Sequence, residues 1–382
     1  MATGKVALLT NIIPPYRVPC FNRVAETANF ELDVFFFART TRDRPWKVSE
    51  GGINFNHTIL KTLPIYLGEE WAIYLGYDIF LHLLRGRYDA VVLGGYDQPL
   101  FLATLLFSRL AHSVVLLWVE STSQDERSGN WLYEKLKRLM VRNCSGFLVP
   151  GKASHEYVRA LGAPADRIYT VPNAADSEYC HRERLRLANL RGHMKRERGY
   201  PGTVFLFSGR LVRRKGIQYL LPAFRKLQRE RGDVGLVVLG DGRERRQSEG
   251  YCRSLGMENV FFEGFINHDE IPKYYMAGDV LVLPSLTEQW GLVINEAMNF
   301  GLPIISTDVV GAARDLVRDG VNGLVVQPAN AEELYRAMKR LSDYPHLREK
   351  MGEESLRIIR DYSPETWANN FVCAIEKALG RS

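Results

Sequence analysis

Residues 284–307, PSLTEQWGLVINEAMNFGLPIIST, decide the fold. Apolar, β-branched runs at 279–283 and 302–306 lie on either side of a polar loop and a helical pattern, and both runs are predicted strands. Gly291 and Gly301 stand where the intervening helix would begin and end, which limits it to about two to three turns. The stretch is therefore predicted to be a crossover between two parallel strands.

Two glutamates in this stretch are candidate ligand residues. The amino end of the predicted helix faces the carboxyl edge of the sheet, where unpaired N–H groups and the helix dipole favour an anion. Glu288 lies in the loop, whereas Glu296 lies among apolar residues and is expected to be half-buried. A buried carboxylate needs a donor partner, and a ribose diol offers two hydroxyls. Alternatively, Glu296 is a surface residue on the exposed side of the helix.

Glu288 and Glu296, separated by seven residues that include Trp290, Gly291 and Leu292, resemble the E-x7-E signature of family 4 retaining glycosyltransferases. The resemblance implies an α/β protein of the GT-B fold, with two Rossmann-like, doubly wound domains facing a cleft. It also implies that Glu296 holds the nucleotide ribose and that Glu288 contacts the donor sugar. The backbone at Trp290, Gly291 and Leu292 would hold the diphosphate.

A second segment, SGRLVRRKG at 208–216, directly follows a predicted strand. Its glycines let the backbone approach a ligand closely, and Arg210 and Lys215 place two cations near the sheet's carboxyl edge. Taken alone it would be a solvated basic turn. It resembles the family's G-R-L…K-G segment, whose arginine and lysine hold the donor diphosphate. By the same resemblance Phe265 is a candidate contact for the nucleotide base, although a plain turn explains it equally well.

The amino half begins with a predicted strand at 5–10, followed by a loop with two consecutive prolines. Many family members carry two glycines there, whereas prolines lack the N–H donors. Asn11 and Arg17 are therefore candidate contacts to the acceptor or a phosphate. Alternatively, the prolines only stiffen the turn and Arg17 is solvated. Glu120 stands where many relatives have a histidine that meets the donor sugar.

Strands and helices alternate along the rest of the amino half, which predicts a doubly wound sheet. The predicted strands are 31–37, 55–60, 89–94, 113–119, 146–150 and 168–171, and the predicted helices are 68–85, 99–111, 130–143 and 152–161. The helix predicted at 130–143 carries Lys135, Lys137, Arg138 and Arg142 among apolar residues. Its basic face either contacts an anionic membrane or packs on the core.

Composition indicates a globular protein, since 46% of its 382 residues are hydrophobic and 25% are charged, as in average soluble proteins. The length suffices for two domains. The net charge of +6 lies in residues 1–200, which hold 26 Lys and Arg against 20 Asp and Glu. No nucleic-acid motif accompanies this charge, so no nucleic-acid partner is expected. The five cysteines lack metal-ligand spacing.

The sequence predicts an amino-terminal acceptor-binding domain at 1–176 and a carboxyl-terminal nucleotide-sugar-binding domain at 177–362, which begins with a polar linker region at 177–200. A final helix at 363–382 would return to the first domain, as the resemblance implies. The implied activity is retaining transfer of a hexosyl group from a nucleotide diphosphate sugar to a glycan, lipid-linked or small-molecule acceptor. A nucleotide-sugar epimerase of the same architecture and a non-catalytic nucleotide-sugar sensor are the alternatives.

The predicted catalytic residues are Glu288, Arg210 and Lys215. No cofactor or metal is expected, because the two cations can neutralise the leaving diphosphate and no Asp-x-Asp pair occurs in the sequence. If a metal were required, Glu120, Asp125 and Glu126 would be its candidate ligands. The expected location is cytoplasmic, with peripheral contact to the inner face of the membrane, because neither a signal peptide nor an apolar run of spanning length is present.

Overall fold

The protein forms two compact units, seen in a computed structural model. Unit 1 comprises Met1–Ala174 with Pro364–Ser382, and unit 2 comprises Ala175–Ser363. The structure describes residues 4–41, 50–67, 72–124 and 131–381.

Unit 1 alternates strands with helices. In chain order its elements are β1 Lys5–Thr10, α1 Val18–Thr27, β2 Glu31–Phe36, β3 Asn56–Ile59, β4 Leu63–Tyr66, β5 Ala72–Leu75, α2 Asp78–Gly86, β6 Ala90–Leu93, α3 Pro99–Leu110, β7 Val114–Trp118, α4 Trp131–Asn143, β8 Gly146–Val149, α5 Lys152–Ala160 and β9 Ile168–Thr170. Within the described ranges, a seven-stranded parallel sheet has the order β3-β2-β1-β6-β7-β8-β9. Strands β4 and β5 form a separate antiparallel hairpin.

Helices cover both faces of this sheet, which is why its central strands are apolar throughout. In β1, Val6 and Leu8 point into one core and Ala7 and Leu9 into the other, and all four are at most 1% exposed. Helices α2 to α5 pack on the face that carries Leu9, and α1 packs on the opposite face.

Unit 2 repeats the same plan. In chain order its elements are α6 Ser177–Leu187, α7 Arg191–Glu197, β10 Thr203–Ser208, α8 Ile217–Glu230, β11 Val234–Leu239, α9 Arg245–Ser254, β12 Val260–Gly264, α10 Ile271–Ala277, β13 Val280–Leu283, α11 Val293–Asn299, β14 Ile304–Thr307, α12 Gly311–Leu316, β15 Gly323–Val326, α13 Ala331–Asp343 and α14 Pro345–Ile359. Its six-stranded sheet, counted over the described part of the chain, has the order β12-β11-β10-β13-β14-β15 and is parallel.

The predicted crossover at 284–307 is confirmed. Strands β13 and β14 pair in parallel, with Leu281 opposite Ile304, and α11 connects them. The helix begins at Val293 rather than at Gly291, because Gly291 and Leu292 form the turn that leads into it; the Ile294 amide donates to the Gly291 carbonyl at 2.9 Å.

The last helix, α15 Pro364–Ala378, belongs to unit 1. Trp367, Phe371 and Ile375 recur at four-residue spacing and are fully buried in the core beside α1. The Trp367 ring lies 5.7 Å from that of Phe21 and 5.4 Å from that of Trp118. The expected return of the final helix to the first domain is thus confirmed.

Two predicted elements are wrong. The helix predicted at 68–85 is strand β5 at 72–75 and helix α2 from Asp78, while 68–71 lie outside the described residues. The polar linker predicted at 177–200 is instead helices α6 and α7. These helices bury Cys180, Leu187 and Met194 and pack against α10.

The predicted basic face at Lys135, Lys137, Arg138 and Arg142 is wrong for one of its four residues, Lys137. Lys137 is 1% exposed, so it cannot contribute to a surface. Its ammonium donates to Glu134 at 2.8 Å and to the Tyr157 hydroxyl at 2.5 Å. The other three cations are exposed.

None of the helices within the described ranges is long and apolar enough to cross a membrane.

Candidate functional site

Two loops meet at the carboxyl edge of the unit 2 sheet. One follows β10 and the other follows β13, and these strands are neighbours. The Leu286 amide donates to the Arg214 carbonyl at 2.7 Å, so the loops are joined by backbone. A Cβ at Gly216 would lie 1.9 Å from the Pro284 carbonyl oxygen, and Gly216 has φ +76°. Glycine at 216 is therefore required for this approach.

The approach brings Lys215 and Glu288 together as an ion pair. Lys215 comes from the β10 loop and Glu288 from the β13 loop, and their side chains are 12% and 13% exposed. Arg210 lies half-buried on the same loop as Lys215. The structure thus gathers the three predicted catalytic residues on two adjacent loops. Two cations and one carboxylate at a sheet's carboxyl edge can bind an anion and hydroxyl groups together.

The loop from Glu288 to Gly291 is also fixed on its other side. The Glu288 carbonyl accepts from the Gly311 amide at 3.1 Å, and the Trp290 carbonyl accepts from the Ala312 amide at 2.8 Å. A Cβ at Gly311 would lie 2.0 Å from the Gln289 carbonyl oxygen, so only glycine fits there. Sequence reasoning did not assign this role to Gly311. The loop that carries Glu288 is therefore held between two others.

Trp290 is not available to a ligand through its side chain. Its indole is 4% exposed in the core of unit 2 and donates to the Asn295 side-chain oxygen at 2.8 Å. The ring packs inward, so any contact that Trp290 makes with a ligand would come from its backbone, which is what the resemblance implies. Gly291, with φ +95°, makes the turn directly after it, and Leu292 is half-buried.

Glu296 is half-buried and has a partner within the protein. The hydroxyl of Tyr275 donates to its Oε2 at 2.6 Å, and Tyr275 is 1% exposed. Burial raises the pKa of Glu296, while Tyr275 and His268 partly offset the rise. The pKa of Tyr275 is raised well above its usual value, first by burial and then by the charge of Glu296. Sequence reasoning missed Tyr275, because 21 residues separate it from Glu296.

A histidine, His268, also lies near this carboxylate. The His268 ring stacks on that of Tyr179 at 5.0 Å, and burial raises the pKa of Tyr179 to about 12. Phe265, the predicted base contact, is 59% exposed in the loop that follows the edge strand β12. His268 belongs to the same loop, so this loop reaches the vicinity of Glu296 through His268 rather than through Phe265.

Asn11 and Arg17 belong to unit 1. Arg17 is 3% exposed, which excludes a solvated charge. One of its amino groups, Nη2, donates to Glu120 at 2.5 Å and to Asn173 at 2.6 Å, and its guanidinium lies 4.5 Å over the Trp118 ring. Asn11 Oδ1 is buried without a partner, as is Arg17 Nη1. Arg17 therefore fixes Glu120, the residue found in place of the family histidine.

Of the three candidate metal ligands, only Glu120 lies in the described part of the chain. Residues 125 and 126 lie outside the described residues, and Glu120 is engaged by Arg17. Across the described portion of the chain, no group of three or more His, Cys, Asp or Glu side chains is placed to hold a metal ion.

Solved structures define the class of fold. HepE from Anabaena in complex with UDP superposes with a TM-score of 0.76 at 18% identity, covering 98% of this chain and 100% of HepE. Sucrose-phosphate synthase from Thermosynechococcus elongatus gives 0.76 at 18% identity, covering 99% and 100%. WaaG, a glycosyltransferase involved in lipopolysaccharide biosynthesis, gives 0.69 at 17% identity, covering 96% and 98%. These neighbours are GT-B proteins, so the predicted GT-B fold is confirmed.

Family models then narrow the class. Residues 195–357 match glycosyl transferases group 1, and residues 22–174 match the glycosyl transferase 4-like domain. One model thus covers most of unit 2 and the other most of unit 1. Together they indicate a GT-B glycosyltransferase of the family 4 type.

Curated relatives agree with this class. Alpha-D-kanosaminyltransferase from Streptomyces kanamyceticus is 31% identical over 247 residues, 64% of this chain and 63% of its own length. The 2-deoxystreptamine glucosyltransferase of the same organism is 30% identical over 239 residues, 61% of this chain and 60% of its own length. The chain therefore matches less than two thirds of each of these relatives.

Proposed function

We propose that this protein transfers a hexosyl group from a nucleotide diphosphate sugar to an acceptor, with retention of the anomeric configuration and without a metal ion. The observation that carries this proposal is the ion pair of Lys215 with Glu288, whose loop leads, eight residues after Glu288, to the half-buried Glu296. The fold neighbour HepE was solved with UDP and with UDP-glucose, which supports a donor of this class.

The ion pair suits a donor with a charged leaving group. Lys215 would turn from Glu288 to the diphosphate, and the sugar hydroxyls would donate to the carboxylate that Lys215 leaves. Each of the two charges then has a partner both before and after donor binding, which avoids the cost of an isolated buried ion. As the glycosidic bond breaks, the diphosphate gains negative charge, and Lys215 with Arg210 stabilises it.

Glu296 would hold the ribose. Its Oε2 accepts from Tyr275, and its Oε1 has no hydrogen-bond partner among the described residues. Tyr275 is buried and cannot turn away, so it fixes the carboxylate for the two ribose hydroxyls. The stacked rings of His268 and Tyr179 would contact the rest of the nucleoside.

Two cations replace the metal in this proposal. A cation about 4 Å from a phosphate charge contributes roughly 4 kcal/mol at an effective dielectric of 20, before desolvation is subtracted. Lys215 and Arg210 lie on the loop that would face the diphosphate. Activity should therefore survive an excess of EDTA. Loss of activity in EDTA that magnesium or manganese restores contradicts the metal-free mechanism.

Unit 1 would choose the acceptor, which is a glycan, a lipid-linked sugar or a small molecule. Glu120, whose side chain is 38% exposed and held by Arg17, is the proposed acceptor contact. We also propose that the enzyme acts in the cytoplasm, where nucleotide sugars are made.

A thermal-shift panel of nucleotide diphosphate sugars tests the donor class. A donor at about 100 times its dissociation constant stabilises the protein by about 2.7 kcal/mol, whereas sugars without the diphosphate should not. The selected donor is then incubated with acceptors, and the anomeric configuration of the product is read by NMR. Retention with release of nucleoside diphosphate is expected. Conversion of the donor sugar without acceptor indicates an epimerase, and binding without release under any acceptor indicates a sensor.

A further inference from the structure

Three of the four helices on one face of the unit 1 sheet, α2, α3 and α4, lie side by side. Leu83 of α2, Phe101 of α3 and Met140 of α4 are buried in the same core as strand residue Leu93. Helix α2 contacts α3, and α3 contacts α4. The sides of these helices that are turned away from the core therefore form one continuous surface, which we call the outer face.

The outer face exposes large apolar side chains. Leu110 is 82% exposed, Trp131 66% and Leu84 59%, although such residues are usually buried. The large apolar side chains exposed on the three helices are Leu81, Leu84, Leu106, Leu110, Trp131 and Leu139. Soluble proteins rarely expose many large apolar side chains together unless the surface binds something.

The same face carries cations between the apolar residues. The exposed cations of the three helices are Arg85, Arg109, Lys135, Arg138 and Arg142. The Lys135 ammonium lies 4.4 Å from the centre of the Trp131 ring, so the cation and the apolar ring are in contact on the surface. Apolar side chains mixed with lysine and arginine are typical of helices that lie in a membrane interface.

Carboxylates are few on these helices, and α5, which adjoins α4, exposes one carboxylate, Glu156, and two cations. The sequences of the three helices contain two, Asp78 and Glu134, and both are only partly exposed. Asp78 accepts from the Lys61 amide at 2.7 Å, and Glu134 accepts from buried Lys137. By contrast, α13 of unit 2 exposes Glu332, Arg336, Arg340 and Asp343, charges of both signs without a large apolar residue. The outer face is thus positively charged and apolar at once.

The hairpin of β4 and β5 extends the apolar surface. Strand β5 packs against α3, with Tyr74 buried in the shared core. On the outside, Leu63 is 66% exposed and Ile65 42%, and Tyr77, just after the hairpin, is 75% exposed.

We infer that the outer face is a docking surface for an anionic lipid bilayer, on which unit 1 lies with its apolar side chains inserted and its cations at the headgroups. Charge complementarity selects this occupant, because a surface whose three helices expose five cations, against two carboxylates that are only partly exposed, would repel a second copy of itself. The inference does not depend on the proposed function.

Co-sedimentation of the whole protein with vesicles tests this assignment. We expect binding to vesicles of equal parts phosphatidylglycerol and phosphatidylcholine, little binding to phosphatidylcholine alone, and weaker binding at high salt. The variant Lys135→Gln/Arg138→Gln/Arg142→Gln should bind about a hundredfold more weakly, since each cation contributes about fivefold. The control Arg253→Gln/Arg336→Gln/Arg357→Gln makes the same charge change on exposed unit 2 arginines and should bind like the unaltered protein.

A second pair of variants tests the apolar part. Leu106→Ser/Leu110→Ser should lower binding at least about tenfold, whereas Tyr344→Ser, at a side chain 62% exposed in unit 2, should not. Sedimentation velocity on the same variants reports self-association. Absence of vesicle binding, equal binding to both lipid compositions, or a dimer that Leu106→Ser/Leu110→Ser dissociates without any vesicle binding would each overturn the assignment.

Discussion

Lys215 and Glu288 are energetically coupled, because each is the charge partner of the other and both are largely shielded from water. Replacing either one leaves a charge without its partner, whereas replacing both leaves none. In urea unfolding, the Lys215→Ala/Glu288→Ala double variant should therefore lose less stability than the sum of the single variants, with a coupling of about 0.5–3 kcal/mol. Additive losses would show that the ion pair does not form in solution.

Variants of Lys215, Arg210 and Glu288 should differ in their kinetic effects from variants of Glu296. Lys215→Ala or Arg210→Ala should each lower turnover about a hundredfold or more, as does removal of other groups aimed at developing charge. Glu288→Ala should also act mainly on turnover, because sugar positioning matters most during reaction. Glu296→Ala should instead weaken nucleotide binding, by about tenfold to a hundredfold, since the ribose contact exists before and during reaction. Unchanged binding and turnover in all four variants would refute the site.

Tyr275 should set the pH dependence of nucleotide binding. The carboxylate form of Glu296 accepts from the ribose, and its raised pKa means that this form is lost at a higher pH than for an ordinary glutamate. Because the hydrogen bond from Tyr275 lowers this pKa, Tyr275→Phe should move the acid limb of nucleotide affinity to higher pH. Glu296→Gln has no such limb and is the control. Identical profiles for Tyr275→Phe and the unaltered protein, measured by calorimetry, would contradict this role.

At the scale of elements, the contact between the two site loops depends on glycine. Gly216→Ala puts a methyl group against the Pro284 carbonyl and forces a non-glycine residue to φ +76°. Gly320→Ala is the matched control, because its φ is +75° and nothing lies within 4 Å of the new methyl group. We expect about 1–2 kcal/mol of destabilisation for Gly320→Ala from the backbone alone, and clearly more for Gly216→Ala. Equal urea midpoints for the two variants would exclude the steric contact.

Helices and strands that nearby residues define could be predicted from the sequence. Those that depend on pairing with a distant part of the chain could not. The crossover at 284–307 could be predicted because its apolar runs and its glycines lie within one short stretch. Strand β5 was mistaken for helix because it is held by pairing with β4, where Ile73 lies opposite Ile65. Helix α6 did carry a local signal, since Asp176 caps it by accepting from the Tyr179 amide at 2.9 Å. Its many charges obscured that signal.

The same distinction applies to the site. Glu288, Glu296, Arg210 and Lys215 were found because their spacing along the chain resembles that of a known family. The pairing of side chains was not predicted: 73 residues separate Lys215 from Glu288, and 103 separate Arg17 from Glu120. Such pairs depend on the order of strands in the sheet, and one sequence does not show which residues that order brings together.

At the scale of the whole molecule, unit 1 consists of two separate chain segments, and its stability should depend on the second. Trp367→Ala removes a fully buried ring that packs on Phe21 and Trp118, which should cost about 3–5 kcal/mol. Amide hydrogen exchange followed by mass spectrometry should therefore become faster in α1 and the unit 1 sheet. Exchange in the unit 2 sheet should not change. Faster exchange in both units alike would contradict the assignment of α15 to unit 1.

The position of α15 in the chain also affects the order of events on the ribosome. Helix α1 leaves the ribosome early, but the tryptophan that covers it is made only after all of unit 2. At about 5–20 residues per second, translation of the intervening unit takes roughly 10 to 40 s. Unit 2 can therefore finish folding first, although it is synthesised second. During that interval the nascent chain presents an unfinished apolar face, which makes it a substrate for chaperones rather than a protein that folds from its amino terminus onward.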